Sequence, residues 1–264
     1  MNKKYRLTND SINFGSRILH RIQAVKDFSD VKAGELGGYV ETEENLSQVG
    51  NAWLYHNAKV FDRAKVYDNA KIYDNARVFN KAMIYNNAKV FNNAKIYDCA
   101  RVGGRAEVRD NALIFDNADV FDIALVRDNA RVFGDVCVFG IAKVGGNTTL
   151  TGNALVSNAV DYIVFKNFWS SGRYFTWTRS NNMWKVGCFY GTGEELIEKA
   201  YKDNERSGIE YERVVKYVES VLADKKIEHK EVKENFFTFS LRSLRRLGTF
   251  IKNSFNTRKH GSKD

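Results

Sequence analysis

Between Asn51 and Asn158 the chain alternates apolar and polar residues in a register that restarts every six positions. The unit reads Asn-Ala-Lys/Arg-Val/Ile-Phe/Tyr-Asp/Asn, and eighteen units follow one another without an insertion. Ala holds the second slot everywhere except at Val136 and Thr148, and the fourth slot is always Val, Ile or Leu. Apolar residues two positions apart, with Lys or Arg between them, place Ala and Val on one face of a short strand and the long side chains on the other. The Asp or Asn that closes many units tolerates bent backbone and hydrogen-bonds locally, which predicts a turn in every unit.

Strands this short, separated by a turn every six residues, cannot pair as hairpins, whose arms are longer. They can coil. Three units per coil make a triangular prism in which each strand stacks on the one eighteen residues later. Ala near the corner leaves room for the tight bend. Six coils follow, with a length of roughly 29 Å at about 4.8 Å per strand. A period of six with small and branched apolar residues alternating resembles the hexapeptide repeat of left-handed parallel β-helices. The hand comes with that resemblance, and a pentapeptide-repeat prism is excluded by the period. The predicted class is mainly β: a left-handed parallel β-helix with six regular coils, then a small α+β domain and a C-terminal basic helix.

The flanks break the rule. Residues 17–22 and 23–25 predict short strands that lead into an irregular first coil near the glycines at 34, 37 and 38. Tyr39 and Leu46 are expected to plug the open end, because a repeat array needs an atypical unit over its exposed edge. Beyond Asn158, residues 161–168 predict a strand and residues 169–189 an aromatic hairpin turning at Ser180, Asn181 and Asn182. Thr192 and Glu195 form a capping-box pattern ahead of helices expected over 194–204 and 209–224. Phe237, Leu241, Leu244, Gly248, Ile251 and Phe255 recur at helical spacing, with Arg242, Arg245 and Arg246 mostly off that stripe, which predicts a basic amphipathic helix. The expected division is therefore 1–50 (entry strands and cap), 51–158 (β-helix), 159–224 (small domain) and 225–264 (basic tail).

Charge sharpens this division. The chain has 264 residues and a formal net charge of +9. Residues 225–264 hold 11 Lys/Arg and 4 Asp/Glu, a balance of +7, whereas residues 1–224 hold 30 and 28, a balance of +2. The basicity belongs to the tail, so the expected uses of Arg242, Arg245 and Arg246 are docking on the protein itself, binding a partner or acidic surface, or contacting nucleic acid. Three widely spaced cysteines, Cys99, Cys137 and Cys188, argue against a disulfide framework or a zinc cluster. No apolar run is long enough to cross a bilayer and no leader pattern is present, so a cytoplasmic protein is expected. Gly191-Thr192-Gly193 lacks the Lys and spacing of a phosphate loop, and neither a cofactor nor a metal is expected.

Sorting outward residues by eighteens yields ladders. One face carries Lys59, Arg77, Lys95, Leu113 and Arg131 beside Phe61, Phe79, Tyr97, Phe115 and Phe133. Such ladders stabilise themselves by ring stacking, and a long apolar stripe also suits a partner or a second copy, as dimer or trimer. In the small domain, Arg173, Arg179 and Lys185 beside Trp177 and Trp184 are candidate contacts for an anionic ligand or partner.

The prism fold is best known in acyltransferases, which are typically trimers with a catalytic His at a subunit cleft; this resemblance implies a His base. The candidate here is His56, which otherwise reads as a corner residue standing in for Asp or Asn. The entry Lys32-Ala33-Gly34-Glu35-Leu36-Gly37-Gly38-Tyr39-Val40-Glu41, then Asn45-Leu46-Ser47-Gln48 and Asn51-Ala52-Trp53, resembles the YdcK-like hexapeptide-repeat proteins of bacteria, phages and prophages. The segment from Trp177 to Glu195 is similar to a C-terminal module of the phage-type members. That family is often labelled a transferase and supplies no agreed catalytic residues; its phage-type members imply binding to a host protein or complex, including interference with host defence. The unbroken repeat, which leaves little room for a special site, favours a non-enzymatic scaffold. Acyl transfer through His56 and nucleic-acid binding through the tail are the alternatives.

Overall fold

The structure, a computed structural model, describes residues 3–224. It divides into one compact unit, Met1–Arg213, and a second that begins at Val214. The first unit is a parallel β-solenoid of about seven turns: six regular coils preceded by one irregular coil. Eighteen two-residue strands run from Trp53–Leu54 to Leu155–Val156. Each of the first fifteen pairs in parallel with the strand eighteen residues on, as Lys95 does with Leu113 and Lys89 with Glu107. The pairs assemble three sheets, so the expected stacking rule holds along the whole array.

The interior is a column of Ala and branched residues. Every second-slot Ala from Ala52 to Ala154 and every fourth-slot residue from Leu54 to Val156 is buried. The corner explains the composition of the sixth slot. His56, Asp62, Asp68, Asp74, Asn80, Asn86, Asn92, Asp98, Asp110, Asp116, Asp122 and Asp128 all have φ between 54° and 61°. Only Gly enters that region freely, with Asn and Asp next because their short polar side chains bond locally. The carboxylates also stitch coils together: Asp62 Oδ2 accepts from the Asn80 backbone N–H at 3.0 Å, and Asp116 Oδ2 accepts from that of Gly134 at 3.1 Å. At several corners the first-slot Asn side chains form a second ladder, as between Asn51 and Asn69 at 3.1 Å.

The N-terminal end differs from the expectation. Instead of short strands there is a long hairpin, β1 (Tyr5–Phe14) against β2 (Arg17–Ala24), and β2 pairs antiparallel with β3 (Leu36–Val40). β3 then opens the first parallel stack through Tyr39↔Lys59 and Val40↔Val60. Leu46 is buried in the interior column as expected. Tyr39 is not part of the plug. It faces outward and packs with Leu19 and Phe61 under the hairpin. Tyr5, Ile22 and Val31 join the interior column instead, and Trp53, in register with Lys71, is buried with Tyr5 and Phe28 edge-on to its ring at 6.2 and 5.4 Å. Lys4, 1% exposed, donates to the Ala52 carbonyl at 2.8 Å and to that of Gly50 at 3.3 Å. Burial, reinforced by Lys71 and Lys26, lowers its pKa to about 8.

At the far end, Tyr162–Lys166, Tyr174–Thr178, Met183–Val186 and Phe189–Gly191 form a four-stranded antiparallel meander. Its side chains cover the last coil: Thr176 Oγ1 accepts from the Thr149 N–H, and Ser180 Oγ from the Leu155 N–H at 2.7 Å. Helix α1 (Gly193–Asp203) starts at the predicted capping box of Thr192 and Glu195. Helix α2 (Glu205–Asp224) starts four residues before the apolar pattern suggests, because Asn204 caps it through the Ser207 N–H at 2.9 Å.

Candidate functional site

The three outer faces of the prism are chemically unequal. The Lys59 face stacks Lys59, Arg77, Lys95, Leu113, Arg131 and Thr149 in its third-slot file. That file holds four bases and no acid, and none of the four forms an ion pair among the described residues. By contrast, Lys89 faces Glu107 at 3.7 Å on the face that carries Lys71. On the face that carries Lys65, Arg101 forms a two-pronged pair with Asp119. The like charges on the Lys59 face are felt locally: the Lys59 pKa is lowered by burial and by Arg77 and Arg21 nearby.

Beside this file runs an unbroken stack of rings. Phe61, Phe79, Tyr97, Phe115 and Phe133 follow one another at centroid distances of 5.1, 5.0, 4.9 and 4.6 Å, with interplanar angles of 8° or less. The spacing is the strand spacing, so ring faces are consumed by neighbouring rings and edges point outward. The other two faces lack this continuity. Tyr67 and Tyr85 stack, but the Tyr85 ring then lies over Gly103, where any Cβ would collide with it. Tyr55 and Tyr73 stack, Phe91 meets Tyr73 edge-on, and Arg109 and Arg127 replace the next rings.

The hairpin covers the first rungs of the Lys59 face. Phe14 rests on Phe61 at 5.4 Å, and Arg77 and Lys59 lie over the Phe14 ring. Phe61 is therefore 6% exposed, while Tyr97, Phe115 and Phe133 remain half-buried and Arg131 exposed. Arg131 lies over both Phe115 and Phe133. The five rings were named from sequence, whereas the four bases were recognised only as a ladder. The missing signal was the comparison of files: one of the three holds no acid.

His56 occupies a corner at φ 54°, in the slot that other units fill with Asp, Asn or Gly. Its Nδ1 lies 3.0 Å from Asp74 Oδ1, the corner residue of the next coil, so its ring continues the ladder of corner contacts. With Nδ1 held by a carboxylate, Nε2 is the nitrogen left to exchange a proton with a ligand.

The residues named in the small domain are split by the structure. Trp177 and Trp184 pair across neighbouring strands at 1% and 2% exposure, and Trp177 Nε1 donates to Asn182. They build the sheet's own core with Phe165 and Phe175. Arg179 and Lys185 are half-buried, and Arg173 is exposed. Arg173 alone of the five lines a shallow cleft of about 230 Å³, with Ser170, Ser171, Asp203, Asn204 and Ser207. Arg242, Arg245 and Arg246 lie outside the described residues.

No protein-family model matches the chain. One stretch of the chain is similar to YdcK. Over 61 residues it is 38% identical to the protein of Escherichia coli (strain K12) described as "Uncharacterized acetyltransferase YdcK". The match covers 20% of this chain and 19% of that relative, so the chain spans about a fifth of its length. Among the described residues no helix is long and apolar enough to cross a membrane, no His, Cys, Asp or Glu cluster is arranged to hold a metal, and the three cysteines are free.

Proposed function

We propose that this protein is a non-enzymatic scaffold that holds an acidic protein surface against its Lys59 face. One observation carries the reading: four bases, none of them ion-paired, stand in file beside five stacked rings on a wall fixed by continuous backbone pairing. A rigid file of like charges is costly unless a partner supplies the opposite sign, and it steers that partner on approach. The stacked rings favour protein over nucleic acid on this face. A base needs a free ring face to stack on, and here the faces are occupied by neighbouring rings. The partner is taken to be a host protein or complex, in line with the phage-type resemblance, and the protein then works in the host cytoplasm. The charge-reversed Lys95→Glu/Arg131→Glu variant should lose a salt-sensitive partner that the wild-type protein retains from host lysate. Equal retention by the two proteins contradicts the reading.

A second reading, acetyl transfer, is favoured by the local similarity to YdcK and by the His56–Asp74 contact. Here His56 Nε2 takes a proton from an acceptor nucleophile as that nucleophile bonds to the acetyl carbon, the carbon–sulfur bond of the thioester breaks, and His56 passes the proton to the departing thiolate. Transfer from an acetyl-thioester donor that is lost in His56→Ala supports it. Absence of transfer by the wild-type chain, or unchanged transfer by the variant, removes it. Nucleic-acid binding by the basic tail is tested by deleting residues 236–264, which should abolish any salt-dependent nucleic-acid binding.

A further inference from the structure

The loop after the first strand of the meander is closed on itself. The Asn167 N–H donates to the Arg173 carbonyl, and the Gly172 N–H to that of Asn167, both at 2.8 Å. The Asn167 side chain is 6% exposed; its Oδ1 accepts from the Ser170 N–H, and its Nδ2 donates to the Tyr211 hydroxyl, both at 2.9 Å. One buried amide thus sets the loop and ties it to α2. The loop, the end of α1 and the start of α2 enclose the cleft of about 230 Å³ that Arg173 lines.

Two hydroxyls of α2 open on this cleft. Ser207 and Tyr211 lie four residues apart and so share one face of the helix. They are 8% and 7% exposed, and both line the cleft. Asn204 caps the Ser207 backbone N–H, but the Ser207 hydroxyl makes no hydrogen bond among the described residues. The Tyr211 hydroxyl accepts from Asn167, and its own proton has no acceptor among those residues. Burial raises the Tyr211 pKa, the Asn167 bond opposes this and Asp203 adds to it, so the hydroxyl stays a donor. Buried polar groups are normally paired, and two that are not, side by side in one hollow, mark a place for a ligand.

Charge narrows the class of ligand. Arg173 and Asp203 line the same cleft, yet neither side chain has an ion pair or a hydrogen bond among the described residues. A simple anion would meet Asp203, and a simple cation would meet Arg173. A neutral polyhydroxylated molecule suits both, because each of its hydroxyls can accept from a guanidinium or donate to a carboxylate. Tyr174 also lines the cleft; Lys166 lies over one face of its ring, and the residue remains 45% exposed. An aromatic ring at that place offers an apolar surface to the C–H face of a sugar. A zwitterionic amino acid would satisfy the two charges but presents no such face. The cleft is smaller than those that take drug-sized ligands, so it holds one ring. We infer that it binds a single neutral sugar residue, with Arg173, Asp203, Ser207 and Tyr211 on the hydroxyls and Tyr174 against the C–H face. This inference depends neither on the Lys59 face nor on His56.

Saturation-transfer NMR on the full chain tests it, with glucose, galactose, mannose and N-acetylglucosamine at millimolar concentration, each as the free sugar and as its methyl glycoside. At least one should receive saturation on its ring C–H protons. A response from the free form alone identifies a soluble sugar, and one from the methyl glycoside identifies the end of a glycan. Asp203→Ala should weaken that sugar about tenfold and Ser207→Ala about fivefold, as expected for a charged and a neutral hydrogen bond. Circular dichroism should not change, because neither side chain has a partner to lose. Lys199→Ala, an exposed position of α1 outside the cleft, should bind as wild type does. Silence from all four sugars, saturation of alanine in their place, or undiminished binding in both cleft variants overturns the inference.

Discussion

The sixth-slot carboxylate does two things at once, and they can be separated by substitution. It adopts a left-handed backbone that other residues avoid, and it accepts a backbone N–H from the next coil. Asp116→Ala removes both advantages and should destabilise the fold by about 1–3 kcal/mol, the range for a lost bond to a charged group plus left-handed strain. Asp116→Gly keeps the backbone freedom and should cost clearly less. Equal costs in urea titration would show that the hydrogen bond alone matters. Lys4 offers a pH test. Its folded-state pKa of about 8 lies below the ordinary 10.5. Between those values the unfolded chain holds more protons than the folded one, so this group's contribution to stability rises with pH across that window. The stability of wild type relative to Lys4→Met should therefore increase from pH 8 to 10.5, and the subtraction cancels the tyrosines shared by both proteins. A flat difference would mean that the ammonium is not desolvated at the cap.

At the scale of elements, the ring ladder should behave as a one-dimensional stack. Tyr97 has a ring on each side, whereas Phe133 has one stacked neighbour, Phe115. Aromatic pairs contribute about 0.5–1.5 kcal/mol beyond burial, so Tyr97→Ala should cost roughly twice what Phe133→Ala costs in the same denaturant series. Similar costs would mean that burial rather than stacking holds the rings. The ladder was readable because a period of six folded in threes makes residues eighteen apart neighbours, and parallel pairing then leaves no freedom of register. The long hairpin was not readable. Tyr5–Phe14 has no clean alternation and bulges near Leu7, so its pairing depends on Leu19 and Tyr39, which are distant in sequence. Tyr39 illustrates the limit. Its size suggested a plug, but the strand phase set by Val40↔Val60 turns it outward, and Tyr5, Ile22 and Val31 join the column instead. The start of α2 was displaced for a local reason, the Asn204 cap, which the apolar pattern does not record.

On the scale of the whole molecule, regularity narrows where specificity can reside. Most coils obey one rule, so departures from it carry the information: an acid-free basic file and a His at one corner. The hand of the coil comes from the family resemblance, since neither period nor pairing supplies it. The candidate site was partly visible, because the rings and bases were both named. What marks the Lys59 face is the lack of acids in its file, and that emerges only when three files are set side by side. The Trp residues of the small domain show the converse: strand alternation put Trp177 and Trp184 on one face, and that face proved to be the sheet's interior. The central claim is that one face, and not net charge, does the binding. The most direct measurement compares Lys95→Glu/Arg131→Glu with Lys65→Glu/Arg105→Glu, which changes the total charge equally at two exposed bases away from that face. Partner retention from host lysate, followed by mass spectrometry as salt is raised, should be lost in the first variant and kept in the second. Equal loss in both variants, or none in either, would contradict the account.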